Sequence, residues 1–153
     1  MACDGHIDQK EIEELKLMNS KTSYFGDIDL SSDLNKLLEE LQRKGVQVVN
    51  DLFQELRQTE LNPVQELLIL EVALRIIYAD KIIDDNEVQF LKLLRGRLAI
   101  YDEIIMERFG NENLLFNKQY SQGVEAPNID KYLNKLKMPE HKDMDSIKNN
   151  FDL

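Results

Sequence analysis

The stretch "YADKIIDDNEV", from Tyr78 to Val88, decides the fold because it restates an earlier one, "ACDGHIDQKEI", from Ala2 to Ile12. An offset of 76 residues superposes the acidic and the apolar positions of the two copies. A phrase that recurs in this way predicts that one structural unit is used twice. The matched positions are Asp4 with Asp80, Ile7 with Ile83, Asp8 with Asp84, Glu11 with Glu87 and Ile12 with Val88.

Each copy contains the Asp-x-x-Glu spacing of a helix capping box, Asp8 to Glu11 in the first and Asp84 to Glu87 in the second. In such a box the aspartate accepts from free backbone N–H groups of the first turn, and the glutamate reaches back to the cap residue. One interpretation is therefore purely architectural, a helix-turn-helix corner that occurs twice. Loss of either cap should then cost about 1 kcal/mol of stability.

A second interpretation is that the carboxylates of the two phrases bind a divalent metal ion. The carboxylates that the two phrases share number three in each, within eight residues, and hard divalent cations such as Ca²⁺ or Mg²⁺ bind clustered oxygen ligands. If the two corners lie close together about an approximate two-fold axis, they pool six carboxylates. Any such metal should be held by oxygen alone, and only weakly unless both corners contribute. The predicted metal ligands are Asp4, Asp8, Glu11, Asp80, Asp84 and Glu87.

The two interpretations are compatible if Asp8 and Asp84 serve as caps while the other four carboxylates face outward. Lys81 weakens the metal hypothesis for the second copy, since its ammonium group is placed to pair with Asp84 and neutralise it.

An EF-hand loop is excluded because the phrase supplies only the second half of that pattern. In the first copy the first ligand position would fall before Met1, and Ala2 would occupy the third. In the second copy Ile76 and Tyr78 stand at these positions. Two ligands are missing from each copy, which an EF-hand site does not tolerate.

Helical spacing dominates the remainder of the chain, and alternation typical of strands is nearly absent. Asn62-Pro63 is a helix-start signal, since Asn caps well and Pro suits the first helical position. The helix that follows, Pro63 to Ala79, carries apolar residues around much of its circumference and is predicted to be the central one. A loop is expected over residues 19–33, and helices over residues 9–18, 34–44, 49–56, 87–95 and 98–109.

The residues from 111 to 153 have a different composition, with scattered aromatic residues among Asn, Gly and Pro. They are predicted to form an appended segment beside a helical domain of residues 1–110, with one short helix near residues 130–137 and a mobile last dozen residues.

The first copy lacks the long apolar helix that precedes the second, since an offset of 76 places that helix before Met1. The chain is therefore interpreted as a domain without its first helix, which would leave one side of the central helix uncovered. Three sources of cover are open: a preceding segment of a larger protein, a second chain, or the appended segment itself. In the third case Leu115, Phe116, Tyr120 and Tyr132 should be buried against the central helix.

Composition limits the partners. The chain has 19 basic and 29 acidic residues and a net charge of −10, which disfavours nucleic acid and anionic lipid as ligands. Its one cysteine favours a reducing compartment, and the apolar stretch from Val64 to Ala79 is too short and too charged to enter a bilayer. The sequence thus predicts a soluble cytoplasmic protein, associated with a membrane only through partners.

The two copies and their surrounding helices resemble the TerB family of tellurite-resistance proteins, and also the N-terminal domain of a membrane-anchored DnaJ-like co-chaperone. That family repeats an apolar helix ending in Ala-Asp-Gly-x-Ile-Asp-x-x-Glu, followed by a second helix. Here "ACDGHIDQKEIEELKLM" resembles the first copy, and "LLILEVALRIIYADKIIDDNEVQFLKLL" resembles the second with its leading helix. The resemblance covers roughly residues 1–110.

The resemblance implies an all-α, TerB-like helical bundle with both acidic helix-turn-helix corners at one end. It also implies a non-catalytic binding or sensor module of a tellurite or stress-response type, whose acidic residues bind a metal ion or a protein partner. That partner would belong to the same larger polypeptide or to a complex peripheral to the inner membrane. The alternative is a metal-dependent enzyme that uses the paired carboxylates, which a deep polar pocket between the corners would favour.

Overall fold

The chain's computed structural model describes residues 5–26, 28, 30–116 and 128–153, which form helices and no strand. The predicted all-α fold class is therefore confirmed. None of the helices in these ranges has both the length and the apolar character needed to cross a bilayer. The helices are α1 (Gln9–Asn19), α2 (Thr22–Phe25), α3 (Leu30–Lys44), α4 (Gln47–Gln58), α5 (Pro63–Ala79), α6 (Asp85–Arg95), α7 (Asp102–Phe109), α8 (Asn113–Phe116), α9 (Ile129–Lys135) and α10 (His141–Asn150).

The central helix α5 begins and ends where the sequence predicts. The Asn62 side chain accepts a hydrogen bond from the Gln65 N–H at 2.9 Å, and the Gln65 side chain accepts from the Asn62 N–H at 3.0 Å. The contacts of α5 with α1 and with α6 are its most extensive. Because α1 and α6 are the helices that follow the two acidic phrases, both copies pack their second helix on α5. The separation of the two turns stays a prediction.

The main core lies between α5 and α6 and extends to α4 and α7. Leu70 and Ile77 of α5, Leu91 of α6, Phe53 of α4 and Ile105 of α7 are fully buried in it. Burial of apolar side chains on this scale is the largest favourable contribution to folding.

The appended segment joins this core. Tyr132 of α9 is only 1% exposed and belongs to the main cluster, while Leu115 and Phe116 of α8 pack partly buried against it. The predicted burial is confirmed for Tyr132 and in part for Leu115 and Phe116, and Tyr120 lies outside the described residues. The most extensive contacts of α8 and α9 are with α6 and α4, however, rather than with α5.

Two segments predicted to be irregular contain helices. Residues 141–150 form α10, and its Phe151 cap residue is buried in a second cluster with Ile12 and Leu34, while the mobility of the last dozen residues stays a prediction. The predicted loop over residues 19–33 contains α2 and the start of α3 at Leu30, because Leu30 extends the apolar spacing of α3 by one turn towards its N-terminus.

Candidate functional site

The second acidic corner is a tight turn fixed by its own aspartates. The Asp80 side chain accepts from the Ile82 N–H at 2.9 Å, and Lys81 adopts a left-handed backbone conformation with φ 65°. The Asp84 side chain then accepts from the Asn86 N–H at 2.7 Å, and the Glu87 side chain accepts from the Asp84 N–H at 3.1 Å. The second copy therefore forms the predicted capping box.

The first corner has the same local structure where it is described. The Asp8 side chain accepts from the Lys10 N–H at 2.7 Å, and the Glu11 side chain accepts from the Asp8 N–H at 3.0 Å. Gly5, which matches Lys81 at the offset of 76, also has a positive φ, 85°. The equivalence of the two phrases is thus confirmed for the capping box and for the positive φ at positions 5 and 81.

Two of the six carboxylates that are predicted to bind a metal ion are buried. Glu11 and Glu87 are only 5% and 4% exposed, because both are drawn back onto the cap residue, so the prediction that they face outward is wrong. In the described part of the chain, no three His, Cys, Asp or Glu side chains lie together as a group that could hold a metal ion. Asp4 falls outside that part, and the metal site stays a prediction.

Lys81 and His6 of the two turns have different surroundings. Lys81 is exposed and makes no ion pair with Asp84 among the described residues, so the neutralisation predicted for the second corner is not observed there. His6 lies in the first turn, and its Nδ1 lies 3.3 Å from Asp143 Oδ1. Gly5 lies against Lys137, so the first corner is docked on the connection between α9 and α10.

A polar cleft of about 480 Å³ lies beside the second corner, at the C-terminal end of α5. None of the corner carboxylates that the structure describes lines it. Its walls come from α1, α5, α7 and the segment after α7. The lining residues are Glu14, Glu71, Leu74, Arg75, Tyr78, Ala79, Arg108, Phe109 and Glu112.

A network of paired charges holds the cleft in shape. Arg75 Nε donates to Glu14 Oε1 at 2.5 Å, and Arg75 also donates to the Tyr24 hydroxyl. The Tyr24 hydroxyl donates to Glu71 Oε1 at 3.0 Å, and Arg108 donates to Glu71 Oε2 at 2.6 Å. The hydrogen bond that Arg75 donates to Glu14 raises the pKa of the guanidinium group above its ordinary value. The network therefore links α1, α2, α5 and α7 across the cleft.

A second hydrogen-bonded group joins the end of α5 to the segment after α7. The Tyr78 hydroxyl donates to Glu112 Oε1 at 2.5 Å, and the same oxygen accepts from the Leu114 N–H at 3.2 Å. Glu14 and Glu112 use Oε1 for these bonds, and Oε2 of each makes no hydrogen bond within the described residues. These two Oε2 atoms are therefore available to accept hydrogen bonds from a ligand.

No protein-family model, curated protein or solved structure matches this chain. The TerB-like resemblance therefore depends on the repeated phrase and its spacing, and it stays a prediction.

The predicted site residues do not include the cleft, but the sequence contains a signal for it. Glu71 and Arg75 are an acid and a base one turn apart in a largely apolar central helix, whose other polar residues, Gln65 and Glu66, lie in its first turn. Charged side chains in a helix that packs on several neighbours need partners from those neighbours. Such a pair therefore marks a polar contact within the fold.

Proposed function

We propose that this chain is a non-catalytic binding module of a stress-response type, TerB-like in its repeated corner, that takes a protein partner at the C-terminal end of α5. We place it in the cytoplasm and assign any contact with a membrane to its partners. The observation that supports this proposal is the position of the cleft directly beside the second acidic corner.

Exposed side chains around that end suit protein recognition. Ile82, at the tip of the turn, is 73% exposed, and Tyr78, on the wall of the cleft, is 39% exposed. Tyrosine contributes large contact area together with a polar hydroxyl, which makes it frequent at the centres of protein interfaces. An apolar tip beside a polar cleft therefore presents both kinds of contact that an interface uses.

The enzymatic alternative depends on paired carboxylates in a polar pocket between the corners. The described carboxylates of the corners accept hydrogen bonds from backbone N–H groups of the two caps and of the second turn, and the cleft is lined by other residues. The observed arrangement thus favours the binding module over the metal-dependent enzyme.

Site-specific photo-crosslinking tests the proposal. A photoreactive phenylalanine analogue at position 82 should capture a defined protein in the native cells, because Ile82 borders the proposed surface. Val64 provides a matched control, since it is 75% exposed and lies at the N-terminal end of α5, whereas Ile82 follows the C-terminal end. The captured protein, identified by mass spectrometry and purified, should bind the unmodified chain. Equal capture at both positions, or no binding by the purified protein, would contradict the proposal.

Calorimetric titration with Ca²⁺, Mg²⁺, Mn²⁺ and Zn²⁺ tests the metal ion separately. We expect weak binding through oxygen ligands, abolished by Asp80→Lys because the substitution replaces a ligand with a cation. An affinity that Asp80→Lys leaves unchanged would refute the assignment of these ligands.

A further inference from the structure

The geometry of the cleft points to a more specific ligand, and we propose that it receives an arginine side chain from a partner protein. This inference rests on the proposed function and names the chemistry of its partner. It places the recognition in the cleft rather than in the repeated acidic corners.

Charge complementarity supports a cationic ligand. The cleft contains three carboxylates and two guanidinium groups, and the adjoining turn of residues 80–85 adds three carboxylates and one ammonium group. Both guanidinium groups are already paired with carboxylates of the cleft, Arg75 with Glu14 and Arg108 with Glu71. The remaining field is negative, so it attracts a cation and repels an anion.

The available acceptors match a guanidinium group better than a point charge. Glu14, from α1, and Glu112, from the segment after α7, both line the cleft, and each leaves Oε2 without a hydrogen bond in the described part of the chain. A planar group with several N–H donors suits two separate carboxylate acceptors. Tyr78 also lines the cleft, and a guanidinium group stacks favourably on an aromatic ring. An ammonium group would use fewer of these contacts.

The cleft already accommodates guanidinium groups in this manner. Arg75 Cζ lies 5.1 Å from the centroid of the Tyr24 ring while its nitrogens bond Glu14 and Tyr24. Arg108 Cζ lies 5.4 Å from the centroid of the Phe109 ring while it bonds Glu71. The proposed ligand would repeat this combination of carboxylate and aromatic ring, with Glu112 and Tyr78.

An NMR titration of the full chain tests the proposal with Nα-acetyl-arginine N-methylamide as the probe. Its citrulline counterpart has nearly the same shape without the charge and serves as the matched ligand control. We expect the arginine probe to shift the amide signals of Tyr78, Ala79 and Phe109, and the citrulline probe to leave them in place. High salt should weaken the effect, because the attraction is electrostatic.

A pair of variants tests the carboxylate. Glu112→Gln removes the charge but keeps an oxygen that can accept from Tyr78 and Leu114, and it should weaken binding about fivefold, as expected for loss of one partly exposed ion pair. Glu103→Gln removes an exposed charge on α7 outside the cleft and should leave the affinity unchanged. Unperturbed spectra in the absence of probe establish that both variants fold.

Shifts spread over the whole acidic surface, equal shifts with citrulline, or equal losses in both variants would overturn the proposal. If the arginine probe fails while position 82 still captures a protein, the cleft assignment is wrong and the binding module stands. If the probe binds in the cleft while position 82 captures nothing, the docking surface of the proposed function is wrong.

Discussion

The repeated turn requires a left-handed backbone at positions 5 and 81, and the two copies meet that requirement differently. Glycine adopts positive φ without steric cost, whereas lysine does so against a contact of its Cβ. Lys81 is also exposed and makes no ion pair with any residue that the structure describes, so no such contact of its side chain offsets this cost. The second corner is thus the more strained of the two at this position.

We predict that Lys81→Gly stabilises the protein by up to about 1 kcal/mol, because it relieves this strain. Gly5→Ala should destabilise it by more, since a Cβ at position 5 would lie 2.5 Å from the Lys137 Cβ. Urea unfolding of both variants measures the two effects. A loss of stability in Lys81→Gly would show that the two turns are not equivalent.

Lys92 carries a buried charge whose cost should vary with pH. Its Nζ is buried and makes no hydrogen bond in the described part of the chain, and burial lowers the pKa of its ammonium group below 10.5. Between the folded and the unfolded pKa, the unfolded state binds more protons, so stability rises with pH through that window. Below the folded pKa, the desolvated charge destabilises the protein.

We predict that Lys92→Met raises the free energy of unfolding at pH 7 by about 1 kcal/mol, a typical cost of an unsatisfied buried polar group. The advantage should shrink as the pH rises from the folded pKa towards 10.5, because the wild-type lysine then loses its charge in the folded state. Urea titrations at several pH values measure this. If the difference in unfolding free energy between wild type and variant stays constant with pH, the Lys92 Nζ is hydrated in the folded state.

At this scale, the sequence predicts what depends on near neighbours. Asp84 and Glu87 are three residues apart, so their capping box can be inferred from spacing alone. Glu14 and Arg75 are 61 residues apart in the chain, and only the packing of α1 on α5 brings them together. The caps were therefore predictable from spacing. For the cleft, Glu71 and Arg75 indicate a polar contact of α5 but not which residues of other helices complete it.

Among the helices, α10 shows how a weak pattern can be misjudged. Met144, Ile147 and Phe151 are spaced at i, i+3 and i+7, which is the apolar stripe of a short helix. The stripe is narrow and lies among polar residues, so it resembles a solvated tail. Its partners, Ile12 of α1 and Leu34 of α3, come from the opposite end of the chain and supply the burial that the stripe lacks alone.

We predict that Phe151→Ala destabilises the protein by about 3 kcal/mol, as expected for removal of a buried aromatic ring. Leu153→Ala is the matched control, because Leu153 is two residues further on and 37% exposed. It should change stability by less than about 0.5 kcal/mol. Equal, small effects in thermal unfolding of both variants would indicate that α10 is mobile after all.

For the whole molecule, the question is whether residues 111–153 are an appendage. The predicted division at residue 110 follows a change in composition, but the main core contains residues from both sides of it. Leu114 and Tyr132 are buried in the same cluster as Leu70 and Ile77 of α5. A fully buried tyrosine removes roughly 150–250 Å² from water, which at about 25 cal/mol per Å² is an upper estimate near 4–6 kcal/mol.

That contribution is comparable with the roughly 5–15 kcal/mol by which an ordinary domain is stable. We therefore predict that a fragment of residues 1–110 does not unfold cooperatively, whereas the full chain unfolds in one transition. Circular dichroism and binding of a hydrophobic dye during a urea titration compare the two. The fragment should bind the dye without denaturant, because it exposes the faces of α4 and α6 that α8 and α9 cover. A fragment that unfolds cooperatively at the midpoint of the full chain would instead establish residues 1–110 as an independent domain.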